Sequence, residues 1–193
     1  MKIGIFSGTF DPIHIGHIIL ASYITEFTDI DEVWFLVSPQ NPFKVNVGLT
    51  DEKIRLQMVT MALESYDKLH GSDYEFYLPR PSYTIDTLNA LQTAYPKYEF
   101  TLIIGADNWM NFENWKNPEE IVAGYNIMVY PRLGSRISIP SKMRNKVEAL
   151  ESPIVEISSS FIRESISEGR NMQAFLPVEV HKYIMETGLY GSN

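Results

Sequence analysis

An α/β architecture follows from three features of the 193-residue sequence. Short apolar runs recur at 3–6, 33–37, 74–78, 100–104, 125–129 and 154–157, each the length of a strand. Between them, segments 18–27, 51–65, 85–94 and 118–122 carry apolar residues at helical spacing. Helix-capping residues stand at several of the boundaries. Strands alternating with helices make βαβ units and a mainly parallel sheet, and right-handed crossovers put helices on both faces. The prediction is a Rossmann-like, doubly wound sheet in a single domain spanning 1–193, with a small C-terminal helical part at about 158–193.

In chain order, Ile3-Gly4-Ile5-Phe6 opens the sheet and 18–27 forms the first helix. Strand 33–37 follows, then a helix over 51–65 capped by Thr50 or Asp51. Strand 74–78, helix 85–94 and strand 100–104 come next. Asn117, Pro118 and two glutamates mark the start of helix 118–122, ahead of strand 125–129. The Ser-, Pro- and base-rich segment 132–151 reads as a mobile loop plus a short helix. After strand 154–157, Ser158 caps a helix to about Glu168, where Gly169 stops it; a last helix, about 177–186, ends near Gly188.

Composition narrows the function. A 45% hydrophobic content supplies a real core, and the absence of cysteine removes disulfides and thiol catalysis. The chain opens on a strand, with no secretory signal and no apolar stretch of membrane-span length, which points to a cytoplasmic protein. A net charge of −8 argues against a nucleic-acid binder yet allows a locally positive pocket for a small anion.

The string from Gly8 to Ile18, GTFDPIHIGHI, carries the most chemical information. It reads as a strand, a tight loop and a helix start. His14 and His17, three apart, fall on one side of that helix. Free N–H groups and the dipole at the helix start favour an anion there, and Gly8 and Gly16 leave room for it. Together these residues form a phosphate site with two imidazoles. The spacing is not that of HExxH, and no cysteine is present to complete a zinc site, although a carboxylate remains open as a ligand. A second anion site is predicted at Ser158, Ser159, Ser160 and Arg163, hydroxyls and a forked cation at a strand-to-helix turn. Pro39 and Pro42 stiffen a loop that presents Lys44 at the carboxyl end of the sheet.

The string G-T-F-D-P-x-H-x-G-H resembles the HxGH signature of the nucleotidyltransferase α/β-phosphodiesterase superfamily. The segment Ile157-Ser158-Ser159-Ser160-Phe161-Ile162-Arg163 resembles its I-S-S-T-x-I-R motif, with Ser160 in place of threonine. Three more stretches resemble the bacterial nicotinate-nucleotide adenylyltransferases. These are the P-x-x-x-P-x-K loop ending at Lys44, Ser82-Tyr83-Thr84-Ile85-Asp86-Thr87-Leu88, and Gly105-Ala106-Asp107 followed by Trp115. The resemblance runs in family order over nearly the whole chain. It departs at Ser7, where a second glycine is usual, and at Phe43, where a histidine often precedes the lysine.

The resemblance implies transfer of the adenylyl group of ATP to nicotinate mononucleotide, giving deamido-NAD and pyrophosphate, with Mg²⁺ carried on the phosphates. It implies catalysis by His14, His17, Lys44 and Arg163. Gly8, Thr9, Phe10, His14, His17, Ser158, Ser159, Ser160 and Arg163 would hold ATP. Lys44, Thr84, Gly105, Asp107 and Trp115 would hold the mononucleotide. Asp86 and Thr87 read as fastening the start of their helix, Trp109 as core, and Tyr83 as either core or pocket wall. Two alternatives stay open: a sibling enzyme with another acceptor, such as nicotinamide mononucleotide or phosphopantetheine, and a non-catalytic nucleotide binder on the same fold. Homo-oligomerisation is also open.

Overall fold

The computed structural model describes residues 1–39 and 48–192. Six parallel strands form one sheet in the order β3-β2-β1-β4-β5-β6. They are β1 (Lys2–Gly8), β2 (Glu32–Val37), β3 (Leu69–Ser72), β4 (Glu99–Gly105), β5 (Asn126–Tyr130) and β6 (Val147–Ala149). The predicted doubly wound sheet is therefore present, and its order reverses between β1 and β4. That reversal opens a crevice at the carboxyl ends of the two strands, the place such sheets bind ligands.

Among the described residues, seven helices cover the faces: α1 (Ile15–Phe27), α2 (Glu52–Leu63), α3 (Thr84–Ala94), α4 (Ala106–Met110), α5 (Pro118–Gly124), α6 (Ser159–Ser167) and α7 (Val178–Thr187). Alternation along the strands splits the core into two layers. Ile3 and Ile5 point to one face and meet Ile85, Leu88 and Leu91 of α3 and Ile121 of α5. Phe6 and Phe35 point to the other, where Ile24 of α1, Met58 of α2, Ile162 of α6 and Ile184 of α7 close over them. Among the described residues, no helix is long and apolar enough to cross a membrane.

Two expectations need correction, and the helix start at Asn117 and Pro118 holds with a different local geometry. The run at 74–78 is not a strand: Tyr74–Tyr77 is a 3-10 turn, and the edge strand is the preceding Leu69–Ser72, paired with β2. The run at 154–157 has no strand partner; the other edge is Val147–Ala149, paired with β5 inside the segment read as loop and short helix. Asn117 precedes α5 in a left-handed conformation (φ 49°), and its side chain makes no cap. Its amide instead donates to Glu120 Oε2 (3.1 Å), while Pro118 occupies the first turn as predicted. By contrast Asp51 caps α2, accepting from Lys53 N at 2.9 Å. Ser158 caps α6, accepting from Phe161 N at 3.2 Å.

Candidate active site

The loop between β1 and α1 is held from several sides. Phe10 takes a left-handed backbone (φ 48°), unusual for a bulky residue, and its buried ring packs edge-on to Phe6 and His17. The buried Arg55 guanidinium donates to the carbonyls of Thr9 (2.6 Å), Ser38 (2.9 Å) and Thr50 (2.8 Å). Asp11 accepts from the Tyr190 hydroxyl (2.6 Å) and from Thr50 N (3.3 Å). These bonds fix the loop before any ligand arrives.

His14 and His17 leave this loop as a stacked pair, ring centroids 3.7 Å apart and planes 21° from parallel. Gly16 permits the stack, because a Cβ there would lie 3.1 Å from His14 Nδ1 and 3.3 Å from Val155. Burial, with Arg132 nearby, lowers the His14 pKa to about 4, and burial, His14 and Arg132 lower that of His17 well below the usual value. Both rings are neutral at pH 7. His17 Nδ1 accepts from the backbone N–H of His14 (3.2 Å), which assigns the proton of the neutral ring to Nε2. His17 thus offers a donor without carrying a charge.

A cleft of about 500 Å³ opens over the pair, bordered by Gly8, Thr9, His14, His17, Asp107, Arg132, Ser158, Ser159, Ser160 and Arg163. The three serines divide their work. Ser158 caps α6, Ser159 donates to the Pro12 carbonyl (2.9 Å) and Ser160 accepts from Arg163 Nη2 (3.4 Å). Arg163 Nη1 donates to the Asp11 carbonyl at 2.7 Å. Ser159 and Arg163 therefore fasten α6 to the β1–α1 loop, and the hydroxyl protons of Ser158 and Ser160, with the uncapped N–H groups of the first turn of α6, are what remains for an anion.

Arg132 was not singled out by sequence. It stands just past β5, with its guanidinium 5.2 Å from the Tyr130 ring centroid and its Nε 4.0 Å from Asp107 Oδ1. Among the described residues, His14 Nδ1 and Arg132 Nε are buried with no hydrogen-bond partner. The Arg132 Nε–H, an unpaired buried donor beside an open cleft, suits an incoming oxygen ligand. The rule that places ligands at carboxyl ends of parallel strands could have found Arg132.

A second, smaller cavity of about 120 Å³ adjoins the cleft and shares Ser7, Gly8, Asn108 and Tyr130 with it. The structure brings Thr84, Gly105 and Trp115 together along it, with Glu75, Ser82, Tyr83 and Lys116. Tyr83 proves to be pocket wall. A Cβ at Gly105 would meet the free end of the exposed Asp107 carboxylate and lie 3.1 Å from the Tyr130 hydroxyl, so a larger residue there requires Asp107 to move. Thr84 begins α3, whose start has no side-chain cap. Asp86 pairs with Lys116 (2.8 Å) instead of fastening that start. Trp115 leans on Phe112 at 5.4 Å, whereas Trp109 is buried core and donates to the Ser138 carbonyl (3.0 Å). Asp107 borders the histidine cleft and not this cavity. Lys44 and Phe43 lie outside the described residues.

Comparison with known proteins shows the family. Residues 5–165 match the cytidylyltransferase-like family. A protein of Bacteroides fragilis named probable nicotinate-nucleotide adenylyltransferase is 51% identical over 185 residues, which cover 96% of this chain and 92% of that one. A Flavobacterium johnsoniae protein of the same name is 47% identical, covering 98% and 99%. In fold, the chain is similar to the Plasmodium falciparum nicotinic acid mononucleotide adenylyltransferase complexed with NaAD, with a TM-score of 0.80 at 21% identity, covering 100% and 98%.

Proposed function

The chain belongs to the cytidylyltransferase-like family and, within it, to the nicotinate-nucleotide adenylyltransferases, and we propose that the two adjoining cavities are its ATP and nicotinate mononucleotide sites. The reaction is transfer of the adenylyl group of ATP to the mononucleotide phosphate, forming deamido-NAD and releasing pyrophosphate. One observation carries the assignment of sites. A cleft edged by two arginines and two imidazoles meets a smaller, aromatic-lined cavity at the sheet's reversal point, so two substrates can lie end to end across a shared wall.

The acceptor phosphate is already an anion, so the site needs no strong base; it must align two anions and absorb charge as pyrophosphate departs. His17 donates from Nε2, and Arg163 and Arg132 supply cationic charge beside it. Neutral imidazoles that gain a phosphate neighbour take up protons more readily, which adds charge where it develops. Nicotinate lies against Trp115, with its carboxylate at Thr84 and the uncapped N–H groups of α3, where the dipole favours an anion. Asp107 lies within reach of a ribose from the cleft side, and Lys44 is assigned to phosphate. Mg²⁺ travels with ATP, held mostly by phosphate oxygens and water, and offsets their charge; the donor set of the cleft, imidazole, guanidinium and hydroxyl, fits phosphate better than a bare cation. The reading includes a cytoplasmic location and no nucleic-acid partner.

The test is pyrophosphate release when the protein is mixed with ATP and, separately, nicotinate mononucleotide, nicotinamide mononucleotide and phosphopantetheine. Fastest release with the first supports the reading. Fastest release with another acceptor, or none with any, overturns it.

A further inference from the structure

Glu75 is 4% exposed, yet it lies at the wall of the acceptor cavity, where an anion is to bind. A buried carboxylate facing an anion site is costly unless its charge is satisfied locally. Here it is: Oε1 accepts from the Ser7 hydroxyl (2.9 Å) and lies 3.5 Å from the Thr87 hydroxyl, and Oε2 accepts from the Ser82 hydroxyl (3.1 Å). Burial pushes the Glu75 carboxyl up from its ordinary range, while hydrogen bonds from Ser7, Ser38, Ser82 and Thr87 pull it back.

Two of these partners, Ser7 and Ser82, come from separate parts of the cavity wall, and the buried Thr87 lies behind it. Ser7 is at the end of β1, Ser82 precedes α3, and Thr87 sits in its first turn. Ile85, Leu88 and Leu91 pack the body of α3 on the sheet, and the Glu75 contacts tie its uncapped start to the end of β1. The hydroxyl of Ser7, one of the two positions where the sequence departs from the motif it resembles, is bonded within this cluster. We propose that Glu75 is a positioning residue for the acceptor: its carboxylate gathers the Ser7, Ser82 and Thr87 hydroxyls and so holds the start of α3 at a fixed distance from the end of β1. The proposal rests on the acceptor assignment above. It predicts a defect mainly on the acceptor side: Ser82 and Thr87 do not border the histidine cleft, Ser7 stands on the wall the two cavities share, and none of the three belongs to α6 or the histidine pair.

The experiment measures kcat and both KM values for the unmodified protein, Glu75→Ala, Glu75→Gln and Ser82→Ala, with melting temperatures alongside. The unmodified protein identifies the acceptor first; failure with nicotinate mononucleotide overturns the functional reading, and the series then uses whichever acceptor is turned over. For Glu75→Ala the expected result is an acceptor KM raised about tenfold or more, with the ATP KM within about twofold. Glu75→Gln keeps two acceptor lone pairs and the volume, so its acceptor KM should return to within about threefold of the unmodified value. Parallel rises in both KM values, or a lowered melting temperature with unchanged KM values, would overturn the proposal. If Glu75→Ala does not fold, Ser82→Ala decides: a selective rise in acceptor KM supports the role, and no rise removes it.

Discussion

The histidine cleft is open, about 500 Å³, and edged by Arg132 and Arg163, whereas the adjoining cavity is about 120 Å³, lined by aromatics and hydroxyls, and carries a buried carboxylate. The cleft recognises by charge and by free N–H groups at helix starts, which serve any polyphosphate in a suitable pose. The cavity recognises by shape, stacking and hydrogen bonds, which distinguish one small ring from another. Two substrates of similar charge are thus sorted by different physics on either side of the wall formed by Ser7, Gly8, Asn108 and Tyr130. Variants on the two sides should accordingly fail in different kinetic constants.

The largest effect is expected at His17. His17→Ala removes the Nε2 donor and should lower kcat by about a hundredfold or more, roughly 2.7 kcal/mol, with the acceptor KM little changed. Full kcat in a folded variant would remove His17 from the chemistry. Across the wall, Trp115→Ala should raise KM for the mononucleotide by about tenfold, near 1.4 kcal/mol of lost stacking and contact, and leave the ATP KM alone. A shift in the ATP KM instead would break the division between the cavities. A smaller change is expected for Arg163→Lys: lysine cannot bond Asp11 O and Ser160 while also facing phosphate, so KM for ATP should rise about threefold to fivefold. Identical KM values would show that the fork is not used.

The smallest effect is on stability against pH. His14 has its pKa lowered to about 4, so the folded protein resists protonating a ring that the unfolded chain protonates near pH 6.5. The unfolded state then binds more protons, and the contribution of His14, present above pH 6.5, is lost as pH falls toward 4. The melting temperature should fall across that window, and less steeply in His14→Gln. Equal slopes for the two proteins would show that His14 is not buried in its neutral form.

Local signals were the legible ones. The turn from β1 through Gly8, His14 and His17 into α1, the Asp51 and Ser158 caps, and the strand–helix alternation all depend on residues close in sequence. The misread strands are both edges. Leu69–Ser72 contains only one strongly apolar residue, and Val147–Ala149 is three residues long. Edge strands bury little and pair with one neighbour, so tertiary contact decides them and the hydrophobic pattern is faint. Tyr74–Tyr77 misled in the opposite direction: its aromatics resemble a strand, but the chain coils there and buries Glu75. Arg132 and Glu75 stand alone in sequence, without a motif, and only the fold brings them beside Tyr130, Ser7 and Ser82.

The most direct measurement is the ratio of kcat/KM for nicotinate mononucleotide to that for nicotinamide mononucleotide at saturating ATP. Thr84 and the uncapped start of α3 present donors and a positive dipole end to the ring substituent, so a carboxylate pairs with them and a carboxamide NH₂ leaves one unpaired. An unpaired buried donor costs roughly 1–3 kcal/mol, so the acid should be preferred by about 5–150-fold. Equal values for the two mononucleotides would contradict selection by the α3 cavity.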